Sequence, residues 1–147
     1  MPLDPQVQAL LEQFEAQGLP PFDQMSVPQA RDVANAFRDL QGEPEAVGEV
    51  CDILVPGPAG DLPVRAYHPA LGQVLPLLVY FHGGGWVIGN IEIVDKPARA
   101  LANASRCVVA AAQYRLSPET KVPGPGRGLL RGHQLVVPAC TRGGRRP

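Results

Sequence analysis

Apolar positions in the first 45 residues recur at helical spacing; from about Val47 onward they change to the shorter period of strands. Asp4 and Pro5 make an N-cap and first-turn pair. Val7, Leu10, Leu11 and Phe14 then line one helical face, and Gly18 stops the helix. Beyond the linker Pro20-Pro21, Ser26 with Gln29 three residues on resembles a capping box. Ala30, Val33, Phe37 and Leu40 give a second apolar stripe, which Gly42 and Pro44 end. Two amphipathic helices of this kind either cover a sheet or form part of a lid over an active site, and the pattern leaves both open.

Residues 47–55 read as a strand closed by the turn Pro56-Gly57-Pro58-Ala59-Gly60-Asp61. Leu62, Val64, Ala66 and His68 alternate with Pro63, Arg65 and Tyr67, so a second strand pairs back as a hairpin. Residues 75–81 form a third strand, apolar on both faces as in the middle of a covered sheet. Asp95 is positioned to cap a helix over residues 96–105, with Pro97 in its first turn. Residues 106–114 make a fourth strand. A hairpin followed by strand–helix–strand predicts an α/β sheet that is mixed at one edge.

Composition changes this picture at one place. The net charge of −1 conceals a division of the 147 residues. Residues 1–121 hold all 14 acidic side chains, whereas residues 122–147 hold none and carry five arginines. This last stretch has no clear periodicity, and it lacks the aromatic side chains that a nucleic-acid stacking platform needs. No nucleic-acid role is expected of it. Cys51, Cys107 and Cys140 lie far apart with no CxxC pair, which argues against a disulfide framework or a zinc site. Cys51 and Cys107 fall in strand-like runs and are expected to be buried, inert thiols. No apolar run approaches the roughly 20 residues that span a bilayer, and the N-terminus lacks the basic and apolar regions of a signal peptide. The expectation is a cytoplasmic protein.

The chemistry-bearing motif is His82-Gly83-Gly84-Gly85-Trp86, at the end of the third strand. Glycines let backbone N–H groups turn toward a developing negative charge, and a strand entering such a loop is how α/β-hydrolase esterases and lipases build an oxyanion hole. Phosphate-loop readings fail: Gly84…Gly89 is followed by Asn90 rather than lysine, and a GxGxxG frame from Gly83 meets Ile88. A second motif, Tyr114-Arg115-Leu116-Ser117-Pro118-Glu119, ends the fourth strand.

Together the two motifs resemble the hormone-sensitive-lipase-like family of bacterial esterases, and residues 1 to about 123 follow that family's N-terminal portion in order and spacing. The resemblance implies the N-terminal portion of an α/β-hydrolase sheet, an antiparallel hairpin then strand–helix–strand, preceded by two cap helices. It divides the chain into a helical cap segment (1–45), a partial hydrolase core (46–121) and an irregular basic tail (122–147). It implies that Gly84 and Gly85 donate to an oxyanion while His82, Gly83 and Trp86 shape the loop or wall the pocket. Arg115 and Glu119 are expected to form a structural ion pair. A small-molecule carboxylic ester is the implied substrate, with no metal or organic cofactor.

The family's reaction needs a serine in Gly-x-Ser-x-Gly, then an acid, then a histidine, in that order. The serines here are Ser26, Ser105 and Ser117, none of them between such glycines. His133 is the one histidine after Glu119, and no acid follows Glu119. The catalytic triad is absent from these residues, so this chain is expected to be inactive, a remnant or a non-catalytic binding fragment. With permitted synonymous codons, a one-nucleotide shift converts residues 122–136 into FPARVEDCYAATSWL, which resembles the family continuation. A frameshift near codon 121–122 is therefore expected. Sequencing the gene checks this: the shifted frame should run on into a Gly-Asp-Ser-Ala-Gly-Gly-like elbow, and a stop before any such elbow would refute it.

Overall fold

A computed structural model describes residues 2–56 and 60–121. The middle of the predicted turn, the tail from residue 122 and Cys140 lie outside the described residues. Helix α1 (Pro5–Ala16) begins where expected: the Asp4 side chain accepts from the Gln6 amide at 2.8 Å, with Pro5 in the first turn. Its apolar stripe buries little, however, and Val7, Leu10 and Leu11 remain well exposed. Only Phe14 finds an aromatic partner, meeting Phe37 edge-on at 5.8 Å. Helix α2 (Val27–Ala36) starts at Ser26, whose amide and hydroxyl both donate to Gln29 Oε1. It buries Ala30 and Ala34, then tightens into a 3₁₀ turn over Phe37–Leu40.

Four strands form one sheet: β1 (Glu49–Val55), β2 (Leu62–His68), β3 (Leu77–Phe81) and β4 (Val108–Ala112), with helix α3 (Asp95–Ser105) between the last two. The order is β1-β2-β4-β3. The hairpin pairs Glu49 with His68, β2 pairs antiparallel to β4, and β3 runs parallel to β4 with Leu77 opposite Val108. The sheet is thus mixed, as the pattern predicts, because parallel β3 and β4 need a crossover and α3 supplies it.

Several details differ from the sequence reading. β3 was expected mid-sheet, yet β4 takes the position between β2 and β3, and among the described residues β3 is an outer strand of half-buried side chains. Asp95 is the first helical residue rather than the cap, which is Val94. Arg106 is not in the strand; it ends α3 in the left-handed conformation (φ 52°).

The central strand explains its own composition. On one face of the sheet Val109 and Ala111 pack with Tyr67, Ala98 and Ala102, so small side chains on both α3 and β4 allow close approach. On the other, Ala110 and Ala112 join Val55 and Val64. Buried Tyr67 donates its hydroxyl to Asp95 at 3.0 Å, and burial beside that carboxylate pushes its own pKa well up. Asp95 also accepts from Arg99 at 2.8 Å, and Arg65 joins Asp52 and Glu92 in the same network. Cys51 and Cys107 are only half-buried, against expectation: among the described residues β1 is an outer strand, and Cys107 precedes β4. Among the described residues no helix is long and apolar enough to cross a membrane.

Because Ala102 is fully buried against β4, Ala102→Leu should destabilise the fold by about 1–3 kcal/mol through overpacking. A thermal melt followed by circular dichroism checks this, and an unchanged melting temperature would mean that α3 is not packed as described.

Candidate active site

β3 and β4 run parallel and end together, Phe81 opposite Ala112. Their following loops therefore emerge side by side at the carboxyl end of the sheet, where open α/β sheets place their ligands. This register brings the two sequence motifs into contact. The His82 ring stacks on the Tyr114 ring at 4.3 Å between centroids, and the Tyr114 hydroxyl donates to the His82 carbonyl at 2.7 Å. Farther along, the Ser117 amide donates to the Trp86 carbonyl at 2.8 Å.

His82 is 5% exposed, and its Nδ1 lies 2.8 Å from the Gly83 carbonyl. A carbonyl can only accept, so Nδ1 carries the proton and Nε2 is bare. Burial pushes the pKa below the ordinary histidine value, which keeps the ring neutral. Gly89 packs directly on this hydrogen bond: a Cβ there would collide with His82 Nδ1.

The glycine loop itself is a tight turn. Gly84 has φ +125°, and its carbonyl accepts from the amides of Val87 at 3.1 Å and Ile88 at 3.0 Å. A Cβ on Gly84 would run into the Ile88 carbonyl, so glycine is required there by both backbone and space. Trp86 also adopts positive φ, 62°, and is 54% exposed. It is thus a surface residue of the turn.

These contacts set the direction of two peptide planes. In a trans peptide the C=O of one residue and the N–H of the next point opposite ways. The Gly83 carbonyl is drawn to His82, so the Gly84 N–H faces away from the ring. The Gly84 carbonyl is drawn to Val87 and Ile88, so the Gly85 N–H faces away from that turn. Among the described residues neither amide has an acceptor.

Glu119 was expected to pair with Arg115. The guanidinium that holds it belongs to Arg31 of α2, with Nη1 at 2.7 Å and Nη2 at 2.8 Å from its two carboxylate oxygens. This bidentate pair lowers the Glu119 pKa to about 2. The clamp therefore joins α2 to the second motif instead of closing within it. Arg31 carries no signal in the sequence: it is one charged residue on the polar side of an amphipathic helix, and its partners lie 56 to 88 residues away. Among the described residues there is no group of three or more His, Cys, Asp or Glu side chains placed to hold a metal ion. A cavity of about 330 Å³ between β1, β2 and residues 90–92 includes none of the glycine-loop residues 82–89 in its lining.

Comparison with known proteins bears on the fold. Residues 78–130 match a family model described as an alpha/beta hydrolase fold. The chain carries the N-terminal part of an α/β-hydrolase fold. The chain is 33% identical to an arylesterase of Saccharolobus solfataricus over 84% of its own length, and 35% identical to a carboxylic ester hydrolase of Mycobacterium tuberculosis over 82%. It superposes on the hyperthermophilic esterase of the archaeon Pyrobaculum calidifontis with a TM-score of 0.81 and 36% identity, over 91% of this chain. The match covers 40% and 32% of the two relatives and 43% of the solved structure, so the chain spans well under half of the proteins it resembles. The likeness to hormone-sensitive-lipase-like esterases drawn from the two motifs therefore holds, and it is a likeness to part of them.

The steric difference between neighbouring glycines is directly testable. Gly84→Ala should cost about 1–3 kcal/mol from backbone strain and shift the emission of Trp86, the single tryptophan. Gly83→Ala, where an added Cβ meets nothing within 4 Å, should stay within about 0.5 kcal/mol of the parent. Equal effects of the two substitutions would contradict the loop geometry.

Proposed function

We propose that this chain supplies the oxyanion-hole part of a carboxylic ester hydrolase acting on small-molecule esters. The observation that carries the reading is the pair of amides on Gly84 and Gly85. Both lack an acceptor among the described residues, while the carbonyls of Gly83, Gly84, Trp86 and Val87 are all engaged. Two adjacent donors held by fixed partners are suited to charge that develops only in the transition state. Each such donor contributes about 10²–10³ in rate in enzymes where one has been removed.

The chemistry would follow the serine-hydrolase course. A serine attacks the ester carbonyl, a histidine oriented by an acid takes its proton, and the carbonyl oxygen becomes an oxyanion held by Gly84 and Gly85. His82 is not that base: its Nδ1 proton is committed to Gly83, its pKa is lowered and it is buried. Its part is to aim the Gly84 amide. Arg115 and Glu119 belong to the loop framework. The division into a cap segment (1–45), a partial core (46–121) and a basic tail (122–147), in a cytoplasmic protein without cofactor, completes this reading.

The 147 residues contain no Gly-x-Ser-x-Gly elbow, which favours a second reading of the chain on its own as a catalytically silent fragment. Two assays separate the possibilities. The purified chain should not hydrolyse p-nitrophenyl acetate above the buffer rate. A chimera carrying residues 1–121 in place of the matching segment of the Saccharolobus solfataricus arylesterase should hydrolyse it. A chimera that folds without activity would overturn the oxyanion-hole assignment, and turnover by the chain alone would show a nucleophile outside the family pattern.

A further inference from the structure

We propose that Arg31 is a positioning residue for the oxyanion loop, fixing the aim of the Gly85 amide from helix α2. This rests on the oxyanion reading of Gly84 and Gly85. Arg31 makes four hydrogen bonds. Nε donates to the Val87 carbonyl at 2.9 Å, Nη2 to the Ser117 carbonyl at 3.0 Å, and Nη1 and Nη2 to the two oxygens of Glu119. The planar guanidinium can do this only in one orientation, because its donors are fixed as a fork. Glu119 holds that orientation from the solvent side. Ser117 closes the circuit, since its amide donates to Trp86 while its carbonyl accepts from Arg31.

The consequence reaches the amide through a short covalent route. Val87 is held by its carbonyl to Arg31 and by its amide to Gly84. The peptide joining Gly84 to Gly85 is planar, so fixing the Gly84 carbonyl fixes the Gly85 N–H. The Gly84 N–H is set separately, by His82 on the Gly83 carbonyl. The two donors therefore have two independent supports, one inside the motif and one delivered from a helix 56 residues earlier. Misplacement of an oriented group by about 1 Å costs up to about 10²-fold in rate, so a support of this kind matters for chemistry without touching substrate.

Hydrogen exchange on the chain itself tests the proposal without requiring catalysis. Arg31→Ala should raise exchange at the Val87, Ile88 and Ser117 amides about tenfold or more, as local opening there becomes easier, and leave the amides of β2 and β4 unchanged. Arg31→Lys should keep a charge opposite Glu119 and the parent melting temperature, yet exchange like Arg31→Ala at Val87 and Ile88, because an ammonium cannot reproduce the fork. In the arylesterase chimera both variants should lower kcat about 10–100-fold with KM within about threefold. Unchanged exchange at Val87 and Ile88 would overturn the proposal. So would a uniform rise across the sheet, which marks a purely structural residue, or an active chimera whose kcat ignores Arg31. A folded chimera without any activity would instead count against the oxyanion reading, and the exchange result on the chain would still decide the role of Arg31 in the loop.

Discussion

The parallel pairing of β3 with β4 is the constraint on which the rest of the described structure depends. It aligns Phe81 with Ala112, so both strands release their loops at the same end of the sheet. His82 can then stack on Tyr114, and Ser117 can reach Trp86. A shift of one residue in that register would turn every β4 side chain to the opposite face. Tyr67, Ala98 and Ala102 would lose Val109 and Ala111, and the two motif loops would no longer meet.

Small side chains make the pairing possible. β4 has a strand on each side and packed side chains above and below, and its run of alanines is what that crowding permits. Ala98 and Ala102 let α3 settle close enough for Tyr67 to reach Asp95, which ties the crossover helix back to β2. A buried hydroxyl with a carboxylate partner is satisfied, whereas the same group without one would cost about 1–3 kcal/mol.

The glycine loop shows a division of labour between side chains and backbone. In the proposed oxyanion hole the donors are N–H groups, and side chains act on them only through the carbonyls on the other side of each peptide. His82 does this from within the motif and Arg31 from α2. The N-terminal helices thus do more than cover the sheet: α2 grips both loops at once, while α1 leaves most of its apolar stripe exposed. Glu119 contributes as an ion only. With its pKa lowered to about 2, that contribution is present at neutral pH and disappears as pH falls from the ordinary carboxylate range through that value.

Local patterns were sufficient for most of what short-range physics controls. Asp4 with Pro5, Ser26 with Gln29, the alternation of residues 62–68 and the apolar run ending at Phe81 each mark an element that forms. Glycine at position 84 is likewise a local necessity, since the turn back to Ile88 leaves no room for a side chain. Which strand lies in the middle, and which arginine holds Glu119, were not legible in the same way. β3 and β4 look alike as apolar runs, and only the crossover places β4 between β2 and β3. Arg115 sits beside Glu119 in the chain, yet Arg31 reaches it, because a helix folded from the N-terminal segment presents its polar face to a loop 88 residues away. The sequence by itself determined the elements, the family likeness and the glycine loop, since those depend on neighbours within a few bonds or turns. The tertiary structure alone decided how that loop is held, since hydrogen bonds across such separations exist only once the sheet has brought their partners together.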